Sequence, residues 1–280
     1  MKIFLIFIAV LFLLIFFWFF IERHFLITAK ADIHLSNLPH DFNGLSILQI
    51  SDIHHRQFGG DNSKISNIAS YLSPDLIFLT GDMVSRNETD FSSIGILCSR
   101  LSSIAPVYFV FGNHELDFSG KKREKYISTL QNAGVTILDN SKVTVYRNSS
   151  SIDIAGAALI KSIYRDENRR FKNLSTYSLS QLNSDLGTRK RCTLLLAHNP
   201  LIADTYAQWN ADAVFSGHVH GGIIRLPFIG GLLSPERRFF PKYTKGVYHL
   251  NNTTVYVSGG VGKVRLFNPA EVNFITLYSK

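Results

Sequence analysis

The sequence predicts an α/β fold in which two β-sheets pack together with helices outside, preceded by one transmembrane helix. Three observations predict it. Through residue 133, apolar runs of strand character alternate with helix-spaced runs, a βαβαβα order that implies a mostly parallel sheet covered by helices. Beyond that point short strands follow one another, which calls for a second sheet packed on the first. Residues 3–21, IFLIFIAVLFLLIFFWFFI, contain no polar side chain.

The apolar run comes first. As a helix it would be about 28 Å long, close to the hydrocarbon thickness of a bilayer. A buried core helix would have a polar side, and this run has none. A signal-peptide apolar region runs roughly 7–15 residues, and the Ala29-x-Ala31 pattern lies well past the run. The run therefore reads as an uncleaved anchor within residues 1–24. A strand-like connecting segment covers residues 25–43, and a single domain covers 44–280. Lys2 lies on one side of the run, and Arg23, His24 and Lys30 lie on the other. The short leading tail places the domain outside the cytoplasm, in a single-pass protein of the cell membrane.

Within the domain, residues 45–55 (LSILQISDIHH) read as a buried strand ending in polar residues. Ile65, Ile68, Ala69 and Leu72 fall at helical spacing, with Asp61 or Asn62 as the cap. Residues 76–82 (LIFLTGD) form a second strand. A helix over 91–104 is stopped by Pro106, and 107–115 (VYFVFGNHE) form a third strand. A helix over 121–133 is ended by Gly134. VTIL, KVTVYR and SIDIAGAAL follow as short strands, then a helix over 177–186. Residues 192–200 (CTLLLAHNP) and 211–222 (ADAVFSGHVHGG) are strands again, and VYHL, TVYVSGG and EVNFITLYS close the chain as hairpin-like strands.

Over 280 residues, 46% hydrophobic and 18% charged side chains fit a packed core and exclude a disordered chain. The net charge of +8 is carried in part by clusters at 121–125, 169–172 and 189–191. A basic face beside an anchor suits anionic lipid headgroups or phosphorylated substrates, while each cluster alone also fits a solvated surface. No nucleic-acid motif or aromatic interleaving accompanies them, so a nucleic-acid partner is not expected. Cys98 and Cys192 lie far apart in apolar segments and read as buried free thiols.

Five strands end in residues of one chemical kind: Asp52-Ile53-His54, Gly81-Asp82, Gly112-Asn113-His114-Glu115, Ala197-His198-Asn199 and Gly217-His218-Val219-His220. Ligands gather beyond the carboxyl ends of strands in open α/β sheets, so these residues can meet in one cleft. Carboxylate and imidazole donors without thiolate suit Mn, Fe, Zn or Co. In an extended segment residues i and i+2 point the same way, which would let Asp52 and His54 share a site, and likewise His218 and His220. The neighbouring glycines permit sharp turns and close approach.

The order D-x-H, GD, GNHE, H, GHVH resembles the calcineurin-like metallophosphoesterases, over nearly all of residues 45–277. LLLAHNP, SGHVHGGIIRLPFIGG and FFPKYTKGVY are similar to their bacterial membrane-associated branch. The resemblance implies a four-layer αββα sandwich of two mixed sheets and two divalent metal ions. It implies that Asp52, His54 and His220 hold the first ion and Asn113, His198 and His218 the second. Asp82 would bridge both, one carboxylate oxygen to each. His114 would be no ligand but a general acid or charge stabiliser over the substrate. It implies hydrolysis of a phosphate ester or pyrophosphate by hydroxide activated between ions about 3.5–4 Å apart. The substrate is open between a lipid-linked or envelope-derived phosphoester and a soluble phosphodiester or phosphomonoester, and the anchor and basic surface favour an amphiphilic anionic one. Arg225, just past GHVHGG, is a candidate for contacting a substrate phosphate. Glu115 is open between orienting a histidine and lying on the surface, and His55 and Arg56 are weaker site candidates. A non-catalytic docking scaffold and a metal-dependent nuclease are the competing readings. The presence of every expected ligand argues against the first, and the apolar run and absent stacking platform against the second.

Overall fold

The structure, a computed structural model, describes residues 2–165, 174–226, 228–234, 237, 239–262 and 265–280. The first sheet runs β1 (Leu26–Leu35), β14 (Ala270–Ser279), β2 (Leu45–Ile50), β3 (Leu76–Leu79), β4 (Val107–Phe109), β5 (Val135–Ile137). Its strands are parallel except for the β14–β2 pair. The second runs β12 (Gly246–Leu250), β13 (Thr253–Val257), β9 (Ala213–Ser216), β8 (Thr193–Leu196), β7 (Ser150–Gly156), β6 (Ser141–Arg147), with antiparallel pairs at both edges. A small hairpin of β10 (Ile224–Leu226) and β11 (Gly230–Leu233) stands apart.

Alternation along the strands explains how these sheets stack. Leu45 and Ile47 of β2 face the second sheet, while Leu48 and Ile50 face helices α2 (Ser63–Leu72), α3 (Ser92–Ser102) and α4 (Gly120–Asn132). On β8, Leu194 and Leu196 face the first sheet, and Leu195 packs beside α6 (Leu179–Leu186) and α7 (Ala203–Gln208). The inter-sheet layer is closed by Phe78 and Phe215, whose rings meet edge to face at 5.0 Å. The outcome is helices, sheet, sheet, helices. The short α5 (Lys161–Tyr164) ends in the buried Tyr164.

Helix formation follows the spacing. α3 buries Ile94, Leu97, Cys98 and Leu101 on one stripe, and Pro106 follows its end. α6 starts at a capping box, with Ser178 and Gln181 satisfying each other's backbone N–H groups. Asn62 does precede α2, but at φ 56° its side chain makes no cap; it accepts from the Phe58 N–H instead.

Several expectations change in three dimensions. The strand-like stretch after the apolar run is built into the first sheet: β1 pairs with β14 along its whole length. β5 joins β4 rather than the strands that follow it. β13 and β14 are not a hairpin, because β13 lies in the second sheet and β14 in the first, where it runs antiparallel to β2. The strand expected over 211–222 stops at Ser216, and the histidines lie on the loop beyond. Cys98 and Cys192 are buried and free. The basic cluster at 169–172 lies outside the described residues.

Ahead of the sheets, α1 (Lys2–His24) spans 23 residues. Phe4, Phe7, Phe12, Leu13, Phe16 and Phe17 are exposed along it. Among the described residues, which leave out the side chains of Ile3, Leu11, Leu14, Phe19, Ile21 and Arg23, no helix is long and apolar enough to cross a membrane. The end of α1 is tied to the domain. Glu22 accepts from the Phe267 N–H at 2.9 Å, Arg56 donates to the Glu22 carbonyl, and Trp18 lies against Phe267.

Candidate functional site

Five parallel strands, β2, β3 and β4 of one sheet and β8 and β9 of the other, point their carboxyl ends to one edge of the sandwich. The loops leaving those ends do not continue as extended chain. Asp52 (φ 56°), His54 (φ 54°), Asp82 (φ 55°), His218 (φ 69°) and His220 (φ 55°) all lie in the left-handed region. Such backbone costs about 1–3 kcal/mol per residue and persists only where neighbours over-determine it. Asp52 and His54 therefore share a site, but not through strand alternation. The Asp52 N–H donates to Gly81 O and the His54 N–H to Asp82 O, each at 3.0 Å, which pins one loop on the other.

Glycine makes the close packing possible at two points. A side chain at Gly112 would strike the backbone N and Oδ1 of Asp82. One at Gly217 would strike Ser51 Oγ and Asp52 Oδ2. Both carboxylates are thereby held against bare backbone.

Each carboxylate is oriented by donors from elsewhere. Asp52 Oδ2 accepts from Ser51 Oγ at 2.7 Å and from the His218 N–H at 3.1 Å. Asp82 Oδ1 accepts from the His114 N–H at 2.8 Å. That leaves Asp82 Oδ2 facing His198 Nε2 at 3.5 Å, His54 Nε2 at 3.8 Å and His114 Nε2 at 3.9 Å. One oxygen, rather than one on each side, does the facing.

Three groups of potential ligand atoms result, all in buried residues: Asp52, His54 and His220; His54, Asp82 and His114; Asp82, His198 and His218. His218 and His220 thus belong to different groups although one residue separates them. The structure also brings His114 within ligand range of Asp82 and His54. Asn113 Oδ1 is buried without a hydrogen-bond partner at the same loop.

The residues present fit divalent cations. Besides Asn113 Oδ1, His198 Nε2 is buried and makes no hydrogen bond. Its other nitrogen, Nδ1, donates to Thr80 O at 2.6 Å, so when the ring is neutral the proton stays on Nδ1 and Nε2 is the acceptor left for a cation. Orphaned acceptors of this kind are costly unless a cation satisfies them.

Electrostatics of the cation-free protein agree. Burial works against ionising Asp82, yet His198, His114 and His54 outweigh it and hold the carboxyl well below its ordinary range. Burial raises Asp52 above its ordinary value, against the pull of His198. Burial alone would depress His198, but Asp82 and Asp52 overcome it and raise the imidazolium to about 9.

Glu115 neither orients a histidine nor lies on the surface. Its buried carboxylate accepts from the N–H groups of Asp82 (2.9 Å), Met83 (2.6 Å) and Gly112 (2.9 Å) and so ties the GD loop to the GNHE loop. Burial and the Asp82 charge push it up to about 8. His55 is exposed and touches Ser85. Arg56 reaches Val261 O and lies over the Phe58 ring. Arg225 donates to Gly221 O and Thr244 Oγ1, and lines a cavity of about 600 Å³ together with Gly230, Gly231 and Thr244.

Sequence reading missed three residues. Tyr164 stands edge-on to His218 at 5.0 Å, with its buried hydroxyl making no hydrogen bond. Buried Arg265 donates to the carbonyls of Gly260 and Gly262, and Asn268 to those of His220 and Gly222, bracing the GHVHGG loop. They lie far from the motifs in sequence; an arginine and an asparagine in an apolar closing segment were the available signal.

The calcineurin-like phosphoesterase family model matches residues 45–222. The uncharacterized metallophosphoesterase YkuE of Bacillus subtilis is 29% identical over 252 residues, covering 88% of this chain and 82% of that protein. The phosphodiesterase YaeI of Escherichia coli is 27% identical over 78% of this chain and 75% of its own. The UDP-2,3-diacylglucosamine pyrophosphatase LpxG of Chlamydia muridarum is 26% identical over 90% of this chain and 89% of its own. The chain spans 52% and 63% of the length of two other curated relatives.

Proposed function

The chain belongs to the calcineurin-like phosphoesterase family and is a metal-dependent phosphoesterase, and from that premise we propose that it is a membrane-anchored, two-metal enzyme cleaving a lipid-linked or envelope-derived phosphate ester or pyrophosphate. The observation that carries this reading is the sharing of Asp82 between two of three buried ligand groups, with Asp52, His54 and His220 alongside. Asp52, His54 and His220 would hold one cation and Asn113, His198 and His218 the other, with Asp82 contributing to both. Manganese, iron, zinc and cobalt all suit these donors.

Bound divalent cations supply Lewis acidity toward phosphoryl oxygens and acidify water at the site. The chain's residues do the rest. The Arg86 N–H donates to His114 Nδ1 at 3.2 Å, so a neutral His114 carries its proton on Nε2, the nitrogen that faces the cluster. That Nε2–H is placed to donate to a phosphoryl or departing oxygen. Glu115 keeps the loops of Asp82 and His114 in register, so donor and ligands hold one geometry. Arg225 offers a guanidinium to a second phosphate or to a headgroup beyond it.

The apolar run of residues 3–21 and the exposed apolar side chains of α1 support the anchor. The name of the chlamydial relative supports an acylated substrate. The domain is placed outside the cytoplasm as part of the same proposal, and protease protection in intact cells reads its side. The experiment that tests the function is a substrate screen of purified protein with Mn²⁺ against mono-, di- and pyrophosphate esters, with and without acyl chains. The reading predicts turnover abolished by chelator and preference for acylated pyrophosphates or diesters. Equal turnover of soluble and acylated esters would remove the lipid-linked part, and no turnover of any ester would remove the enzyme.

A further inference from the structure

Directly after His220, Gly221 and Gly222, the chain rises into the β10–β11 hairpin. At its tip Phe228 is fully exposed and Ile229 is 63% exposed. Phe239 and Phe240, which fold back on the hairpin's second strand, are 70% and 64% exposed. Four large apolar side chains on one short protrusion are more than scattered surface residues explain, and such patches mark interaction sites.

Two observations select the partner. The patch is continuous with α1. Phe12, Ile15 and Phe16 of the helix enclose an apolar groove of about 310 Å³ with Ile223, Ile224 and Leu266 at the base of the hairpin. Phe267, which lines the cavity under the hairpin tip, lies against Trp18 of α1. The charged side chains among the described residues lining the cavity under the tip are cations. Arg225 and Lys242 line the cavity, Arg237 is exposed beside it, and no carboxylate is among the described lining residues. Lys242 also touches the exposed Asp204 at 3.5 Å. Exposed apolar tips with cations at their base fit the boundary between acyl chains and anionic headgroups.

We propose that the β10–β11 hairpin and Phe239–Phe240 insert into the surface of an anionic lipid bilayer as a second membrane contact. This rests on the reading of α1 as the anchor. The contact seats the domain with its GHVHGG loop next to the headgroups, so an amphiphilic phosphoester reaches the cluster without leaving the membrane.

The test uses the full chain reconstituted into vesicles of phosphatidylglycerol and phosphatidylcholine. Cys98 and Cys192 are buried, so an Ile229→Cys variant takes a fluorescent label selectively, and a Tyr146→Cys variant on the distant edge strand β6 serves as reference. Flotation reports the anchor, and quenching by spin-labelled lipid reports the hairpin. The expected result is flotation of both variants, with quenching at residue 229 at least about threefold that at 146 and weaker in phosphatidylcholine alone. A triple variant Phe228→Ser, Ile229→Ser, Phe240→Ser should still float and hydrolyse a soluble ester normally, while turnover of an acylated ester in vesicles falls roughly tenfold. Flotation with residue 229 open to aqueous quenchers overturns the hairpin contact and leaves the anchor standing. Failure to float overturns both. Label self-quenching that grows with protein density, without lipid quenching, would assign the patch to a second copy of the chain and overturn the proposal.

Discussion

At the scale of single residues, the division of labour is testable because ligand and donor roles separate. Asp82→Ala and His218→Ala should lose bound metal and all measurable turnover, whereas His114→Ala should keep its metal and lose about 10²- to 10⁴-fold in rate; metal analysis beside kinetics checks both. A His114→Ala protein that comes out empty would make His114 a ligand, which its place beside His54 and Asp82 allows. His198 sets a pH dependence. In the cation-free protein its proton stabilises the fold fully below the unfolded value near 6.5, and that contribution is lost as pH rises through about 9. A cation must displace the same proton, so Mn²⁺ affinity should rise by roughly tenfold per pH unit between 6 and 9 and then level off. Titration calorimetry in buffers of differing ionisation heat would show the released proton. The residue types that gather in the cluster were legible in sequence because each follows an apolar strand. Their conformation was not: left-handed backbone at Asp52, His54, Asp82, His218 and His220 depends on loops locking one another across the cleft.

Strands, helices and loops carry predictions of a different kind. Phe215 sits between the sheets with its ring on Phe78, fully buried, so Phe215→Ala should cost about 3–5 kcal/mol in denaturant unfolding. Gly217→Ala should behave differently, because its new methyl meets Ser51 and Asp52 rather than the core. Circular dichroism should show an intact fold, and metal analysis should show lost cation. An unaltered metal content would mean that the Asp52 loop yields easily. The strands β2, β3, β4, β8 and β9 could be read from their apolar runs, as could α3 from its 3–4 spacing. Pairing could not. Nothing local in EVNFITLYS says that it leaves β13 and inserts between β1 and β2, since that partner choice is made by Ile275 and Leu277 entering the layer between the sheets.

For the whole molecule, the account is that stacking two sheets aligns five strand ends, and their loops converge on Asp82. Residues from each end of the domain sequence close the cluster, with Arg265 and Asn268 both donating to the His220 carbonyl of the GHVHGG loop. In the proposed reading, the anchor and the hairpin patch would give that edge a membrane-facing side. Sequence order alone could place the motifs on strand ends but not show that one oxygen of Asp82 faces three imidazoles, because that depends on His114 donating its N–H to the other oxygen. The most direct measurement is anomalous diffraction from crystals of the full chain soaked in Mn²⁺. The account predicts two anomalous peaks, one among Asp52, His54 and His220 and one among Asn113, His198 and His218, with Asp82 contributing to both. A single peak, or peaks that do not share Asp82, would contradict it.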